Sequence, residues 1–593
     1  MRRLLLLLSL PLLAQGSGFS VRDAIQAEWR RQPPAFTEAQ QSALPPADRA
    51  RLERTLRRIG APGAPALLPP ELEQPTEALW LARATAARSP QERFSALFFL
   101  NRLKSPRALE ALAGLSATDA ASWPRHLHLD AQVATARING GKFTPALQTF
   151  FAARQKGGQV DPVRTQAARL RLQMAGLEQA LLPPVAATPG SILALQDAWN
   201  RGPWELRRDL ALNGLRTLDP ASPLWPRLGL QPPTAATLAT ACVGILSRVA
   251  EGLPTPAPAE AFPVGAPPWP CESDPLAQWY SFHGLAKART PLPHLQAALT
   301  QEPPLGLKDA MLQGALLGAL RHQAPAAADA LRTFLLAGSN AIARAAALED
   351  LASAPADLKA LTARVWADDQ FESQQALIQS YARWQLAPAE QLAQLQPWLQ
   401  HPDWACRLEA RRALLKLDPT TPWPAAPEPG PVDRAILAEA IRLAERGRPV
   451  RLRITFAGQR QVTLKLDPTV APMNVANLVL LVRKGYFNGR RVPRVVPDFV
   501  VQLGSPVDTM DGGPGYTVRC ENSLDWYGPG SVGMALSGKD TGGSQLFLTT
   551  NATPHLTGRY TRVGQVEAPD LALKILDGIE LGARILRIQV LPG

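Results

Sequence analysis

Near residue 448 the hydrophobic rhythm of this chain changes, and the change divides what it can fold into. From about residue 20 to residue 417, apolar residues recur at i, i+3, i+4 and i+7 between short Pro/Gly breaks, which puts them on one face of successive helices. Beyond Arg448, residues 450–456 and 461–466 alternate with a period of two around a Gly458 turn, the pattern of paired strands. Single cores stop growing near ~250–300 residues. A chain of 593 residues therefore needs at least two. The two periods predict an all-α N-terminal region followed by a strand-rich domain.

Within the helical part, residues 91–100 and 108–115 read as two helices separated by Lys104-Ser105-Pro106. A basic-x-x-Ala-x-x-x-Leu signature recurs as Arg93/Ala96/Leu100, Arg208/Ala211/Leu215, Arg344/Ala347/Leu351 and Arg407/Ala410/Leu414. Its Ala and Leu share a helix face, and the last two copies are spaced for two helical hairpins of ~30–35 residues. Residues 371–384 supply another amphipathic helix between them. The stretch from His401-Pro402-Asp403-Trp404 to Leu417 resembles a HEAT-type repeat, which implies an α-solenoid over 20–417; an irregular multi-helix scaffold fits the same pattern. A Pro-rich interruption at 253–275 would split this array. Residues 418–431, with six prolines, read as a semi-rigid linker, and 432–447 as a helix bridging to a last domain at 448–593.

At the N-terminus, Met1-Arg2-Arg3 precedes an apolar run over 4–13 and then Ala14-Gln15-Gly16. That order of basic, apolar and small residues is expected of a secretory signal peptide at 1–16. The run is shorter than the ~20 apolar residues of a membrane span. The expected location is therefore outside the cytoplasm, periplasmic or extracellular, with no membrane span in the mature chain. Of the four cysteines none forms a CxxC pair, so neither a structural zinc site nor a dithiol motif is indicated. Cys242 and Cys271 could pair across the Pro-rich loop in an oxidising compartment, which spacing does not decide. Cys406 falls on an apolar helical pattern and reads as a small buried hydrophobe. The histidines have no metal-ligand spacing. The formal net charge of +13 comes mostly from arginines scattered along helices, the mark of solvated faces rather than of a nucleic-acid surface.

In the last part, further strands are expected at 494–504, 531–536, 544–550, 562–566 and 583–590. Helices are expected at 471–484, opened by Pro472 and closed by Gly485, and at 569–576. Many short strands with two helices predict a small closed antiparallel β-barrel. Ordered blocks give this domain a family resemblance. They run from Ala471-Pro472-Met473-Asn474-Val475-Ala476-Asn477 to Gly485-Tyr486-Phe487-Asn488-Gly489, then Arg494-Val495-Val496-Pro497-Asp498-Phe499-Val500-Val501-Gln502-Leu503-Gly504. Gly512-Gly513-Pro514-Gly515-Tyr516, Gly533-Met534-Ala535, Gly543-Ser544-Gln545-Leu546-Phe547-Leu548 and His555-Leu556-Thr557-Gly558-Arg559-Tyr560 follow in order. Together they resemble the cyclophilin-type peptidyl-prolyl cis-trans isomerases over about 140 residues.

The resemblance implies catalysis of rotation about X-Pro bonds, a reaction that breaks amide resonance but cuts no bond. Such chemistry calls for no cofactor and no metal, only a pocket for the proline ring and a donor aimed at the prolyl nitrogen. By resemblance Arg494 is that donor, with Gln502 holding it or the substrate carbonyl. Phe499, Phe547 and Leu556 would form the pocket, with Val500 and Ala535 at its edge and Gln545 on substrate backbone. His555 and Tyr560 would complete the substrate-binding set, His555 standing where the family usually has Trp or Phe. Val492-Pro493 replaces the family's Phe-His before the catalytic arginine, which leaves open a second reading, a weakly active proline-peptide binding scaffold. Expected partners are proline-containing protein substrates, with the helical region binding further proteins as a scaffold in the folding of exported chains.

Overall fold

A computed structural model describes residues 18–103 and 310–592, apart from positions 62, 63, 65, 67, 69, 324, 497, 498, 580 and 581. The leader expected at 1–16, the helix expected at 108–115, the Arg208 copy of the repeat signature, the break expected at 253–275 and both Cys242 and Cys271 lie outside the described residues.

The described N-terminal residues form α1 (Val21–Arg30), α2 (Glu38–Ala43), α3 (Pro46–Ile59), α4 (Pro70–Glu73), α5 (Glu77–Ala86) and α6 (Pro90–Arg102). Ser20 caps α1 by accepting from the Asp23 N–H, and Asp23 accepts in return, so two otherwise unpaired donors are satisfied. After residue 310 come α7 (Ala310–Gln323), α8 (Pro325–Ala337), α9 (Ala341–Asp350), α10 (Leu358–Trp366), α11 (Phe371–Arg383), α12 (Pro388–Leu395) and α13 (Trp404–Leu414). Helices α7, α9, α11 and α13 pack side by side in that order. Their core holds Tyr381, Trp398, Leu348, Leu377 and Cys406, all fully buried.

The repeat signature has a structural counterpart. Ala347 and Ala410 are fully buried, as are Ala96 and Leu100 of the earlier copy. In the two later copies the arginine four residues into the helix turns to main-chain carbonyls outside it. Arg344 donates to Leu336 O and Gly338 O and pairs with Asp368. Arg407 donates to His401 O, Gln400 O and, at 2.6 Å, Ala425 O. Residues 418–430 lie along α13, where Arg411 donates to Pro422 O and Thr421 O. Helix α14 (Pro431–Arg446) then runs to Gly447, whose φ of 61° ends it in the left-handed region that glycine adopts without strain.

The C-terminal domain is one antiparallel sheet of eight strands in the order β3-β4-β6-β5-β7-β2-β1-β8. Its strands are β1 (Val450–Phe456), β2 (Gln461–Leu466), β3 (Arg494–Val496), β4 (Val500–Leu503), β5 (Ser531–Met534), β6 (Leu546–Thr549), β7 (Arg562–Val566) and β8 (Ile585–Val590). Two helices accompany it, α15 (Pro472–Arg483) and α16 (Pro569–Asp577). The strand expected over 494–504 is instead a hairpin: β3 and β4 pair with Arg494 opposite Gln502. Pro497 lies between them and has no N–H to continue a ladder. The sheet curls rather than closing strand on strand. Its edge strands β3 and β8 do not pair; the residues just before them do, through Val492 N–H to Ala583 O at 2.9 Å and Gly582 N–H to Val492 O at 2.8 Å.

The sheet core, with Ile454, Leu464, Val479, Val501, Leu548 and Val563 at its centre, is continuous with the helical region. Ile25 of α1 and Ile436 and Ala440 of α14 are buried in the same cluster. Charge reinforces the junction. Arg519 pairs with Glu28 at 2.6 Å, both side chains nearly sealed from solvent. Arg58 donates to Val470 O and Glu521 O at 2.7 and 2.9 Å.

Candidate active site

The β3–β4 hairpin sets one row of polar side chains. Arg494 and Gln502 are cross-strand neighbours, and Gln502 faces Phe547 of β6 on its other side. Arg494 Nη1 donates to Gln502 Oε1 at 3.1 Å, and Gln502 Nε2 donates to Gln545 Oε1 at 2.9 Å. Gln545 Nε2 donates to Met510 O and Gly512 O, both at 2.9 Å. Gln545 is thus tied on both ends to protein groups, a link between the hairpin and the 510–512 loop. Since each amide is oriented by the next, the guanidinium at the end of the row is oriented too.

Beside this row lies an apolar cluster. Val500, Phe547 and Leu556 are buried, with Phe499, Ala535 and Tyr560 packed against them and partly accessible. Val500, expected at the edge, lies within the cluster, because β4 is covered on the side it faces. The ring of Tyr560 meets Phe547 edge-on at 5.8 Å. Arg494 brings its guanidinium carbon to 5.6 Å from the Phe499 ring centroid. A cation thus stands at the margin of a largely aromatic cluster, close enough to the Phe499 ring to interact with its face. Among the described residues no three His, Cys, Asp or Glu side chains gather as a metal site.

Three contributors were not legible in the sequence. Tyr527 is fully buried against Phe547, with centroids 5.9 Å apart, and burial pushes its phenol well above the usual range. It lies in a loop without periodicity, so nothing local marks it. Gly533 of β5 underlies both rings: a Cβ there would come within 2.3 Å of Phe547 and 2.6 Å of the Tyr527 hydroxyl. The third is Phe98 of α6, whose ring stacks on His555. His555 itself occupies a short 3-10 turn, Pro554–Leu556, on the rim of the cluster. Beyond Gln545, Glu372 and Gln370 at the start of α11 accept from the Gly512 and Gly513 N–H groups at 3.1 and 2.9 Å. Burial raises the Glu372 carboxyl above its ordinary range.

Residues 451–584 match the family model described as cyclophilin type peptidyl-prolyl cis-trans isomerase/CLD. A peptidyl-prolyl cis-trans isomerase of Synechococcus elongatus is 40% identical over 129 residues, covering 22% of this chain and 88% of that protein. The peptidyl-prolyl cis-trans isomerase B of Bacillus subtilis is 43% identical over 108 residues, 18% of this chain and 76% of its own. One from Helicobacter pylori is 40% identical over 123 residues, covering 20% and 75% respectively.

Proposed function

The chain belongs to the cyclophilin-type peptidyl-prolyl cis-trans isomerase family and is an isomerase, and from that premise we propose that Arg494 is its catalytic residue and that proteins exported with it are its substrates. One observation carries the assignment of Arg494: the Gln502-held guanidinium at the edge of the Phe499, Phe547 and Leu556 cluster.

A proline-containing segment seats its ring in that cluster. As the X-Pro bond twists, amide resonance is lost, the prolyl nitrogen becomes pyramidal and its lone pair becomes available. The Arg494 N–H donates to it, a hydrogen bond far weaker in the planar ground state and therefore selective for the twisted state. The barrier of ~18–20 kcal/mol falls without any bond being cut. Gln502 and Gln545 act as positioning residues for the guanidinium. A weakly active scaffold is the competing reading. Against it, Val492, half of the unusual Val492-Pro493 pair, is fully buried and bonded to Ala583 at the seam of the sheet, where it helps fix the start of β3.

For the rest of the chain, the leader at 1–16 supports export, and the ordered packing of α7, α9, α11 and α13 supports a solenoid that binds client or partner proteins. The test is an isomerisation assay with the full chain on an X-Pro peptide. Wild type accelerates exchange, and Arg494→Ala loses most of that acceleration. Peptide binding without acceleration in the wild type would establish the scaffold reading instead.

A further inference from the structure

The curled sheet does not build the rim of its own pocket alone. His555 stands between two aromatic rings. On the pocket side is Phe499, with centroids 5.5 Å apart at 24°. On the outer side is Phe98, 5.1 Å away and only 5° from parallel. Phe98 comes from α6, near the opposite end of the chain, so this three-ring series leads from the proline pocket onto the helical region.

The helix is fixed there by contacts on both flanks of the pocket. Trp526, next to the pocket residue Tyr527, donates its indole N–H to Ser95 Oγ at 3.3 Å. Arg559, three residues after Leu556, donates to Leu72 O at 2.9 Å. Ala552 is buried in one cluster with Trp80, Phe94, Phe99 and Leu100 of α5 and α6. Loops 523–527 and 552–559 therefore hold the α5–α6 pair at the same place on the rim. Phe98 is only partly buried in this arrangement, so part of its ring stays accessible. Arg102, one turn beyond Phe98 and exposed, carries its charge close to His555, as does Arg559.

We propose that α6 is the outer wall of the isomerase site and that Phe98 is a specificity-determining residue, favouring substrates with an aromatic or large aliphatic residue next to the proline and disfavouring a basic one. The inference rests on the assignment of the pocket beside Arg494 as the proline site. A neighbouring side chain leaving that pocket past Phe499 and His555 next meets the Phe98 ring, where offset stacking adds to simple burial. A lysine there enters the positive field of Arg102, which lies one helical turn from Phe98.

The experiment measures kcat/KM of the full chain on short peptides whose residue beside proline is Phe, Leu, Gly or Lys, on either side in turn. Wild type should prefer Phe and Leu and discriminate against Lys. Phe98→Ala should lower kcat/KM on the Phe and Leu peptides about tenfold more than on the Gly peptide, within the range apolar contacts supply. Phe98→Tyr should restore the preference. An equal change on every peptide, a uniform increase that would make α6 a cover, or no change on any peptide would overturn the proposal. Arg494→Ala, which removes turnover on all peptides alike, tests the underlying site separately.

Discussion

Arg494 and Gln502 face each other across the β3–β4 hairpin, joined by a hydrogen bond of 3.1 Å. The bond makes the orientation of the cation a property of the strand register. Gln502→Leu keeps the side-chain volume while removing the acceptor, and should lower kcat roughly tenfold with KM little changed. Arg494→Ala removes the donor itself and should cost on the order of a hundredfold, the equivalent of ~3 kcal/mol of selective stabilisation. Progress curves on one X-Pro peptide compare the two; equal losses would refute the positioning role of Gln502.

Gly533 has no room for a side chain beneath Phe547 and Tyr527. Gly533→Ala should displace both rings and destabilise the domain by about 1–3 kcal/mol, the usual cost of overpacking. Thermal unfolding reads the loss, and proline-peptide affinity should fall with it. An unchanged melting temperature would mean the rings move aside freely.

Glu28 of α1 is the counter-charge for Arg519 and lies 3.6 Å from Arg58. Glu28→Ala leaves buried cations without it, a loss of about 3–5 kcal/mol when a buried pair is broken from one side. The denaturant midpoint should drop and residues near α1 should become protease-sensitive. A midpoint equal to wild type would show that α1 does not stabilise the domain through charge.

His555 carries a pH dependence. Burial, and then the charges of Arg102 and Arg559, push its pKa down to about 4. In the unfolded chain the imidazole takes up its proton near pH 6.5. Between those values the unfolded state binds more protons than the folded one, so stability is undiminished above pH 6.5. It declines as pH falls through the window, by on the order of 3 kcal/mol below about pH 4. His555→Phe should flatten that part of the stability profile. An imidazole resonance of His555 titrating near 6.5 in the folded protein would contradict this.

Much of the C-terminal domain could be read from its residues because its signals are local, although the expected closed barrel is a curled sheet whose edge strands do not pair. Strands β1, β2 and β7 fall on the residues their alternation indicated, and α15 begins at Pro472, where a missing N–H costs nothing. Where the reading failed, a single local cue was overridden. Residues 494–504 alternate like one strand, yet form two strands, β3 and β4, that pair antiparallel with each other. The repeat signature located buried Ala and Leu positions in the helices, but gave no hint that Arg344 and Arg407 would turn inward to satisfy carbonyls of the preceding segment.

The sequence by itself determined the helical and strand-rich parts, the point of change near residue 448, and the family whose ordered motifs surround Arg494. Those features rest on periodicity and short-range spacing, which a linear pattern records. Only the tertiary structure decided that Phe98 would stack on His555, that Glu28 would neutralise Arg519, and that Ile25 and Ile436 would share the core of the sheet. Each of these contacts joins residues distant in the chain, where neither period nor spacing connects them. They form because burying an aromatic face or a charge leaves it to seek a partner in space, wherever the fold brings one.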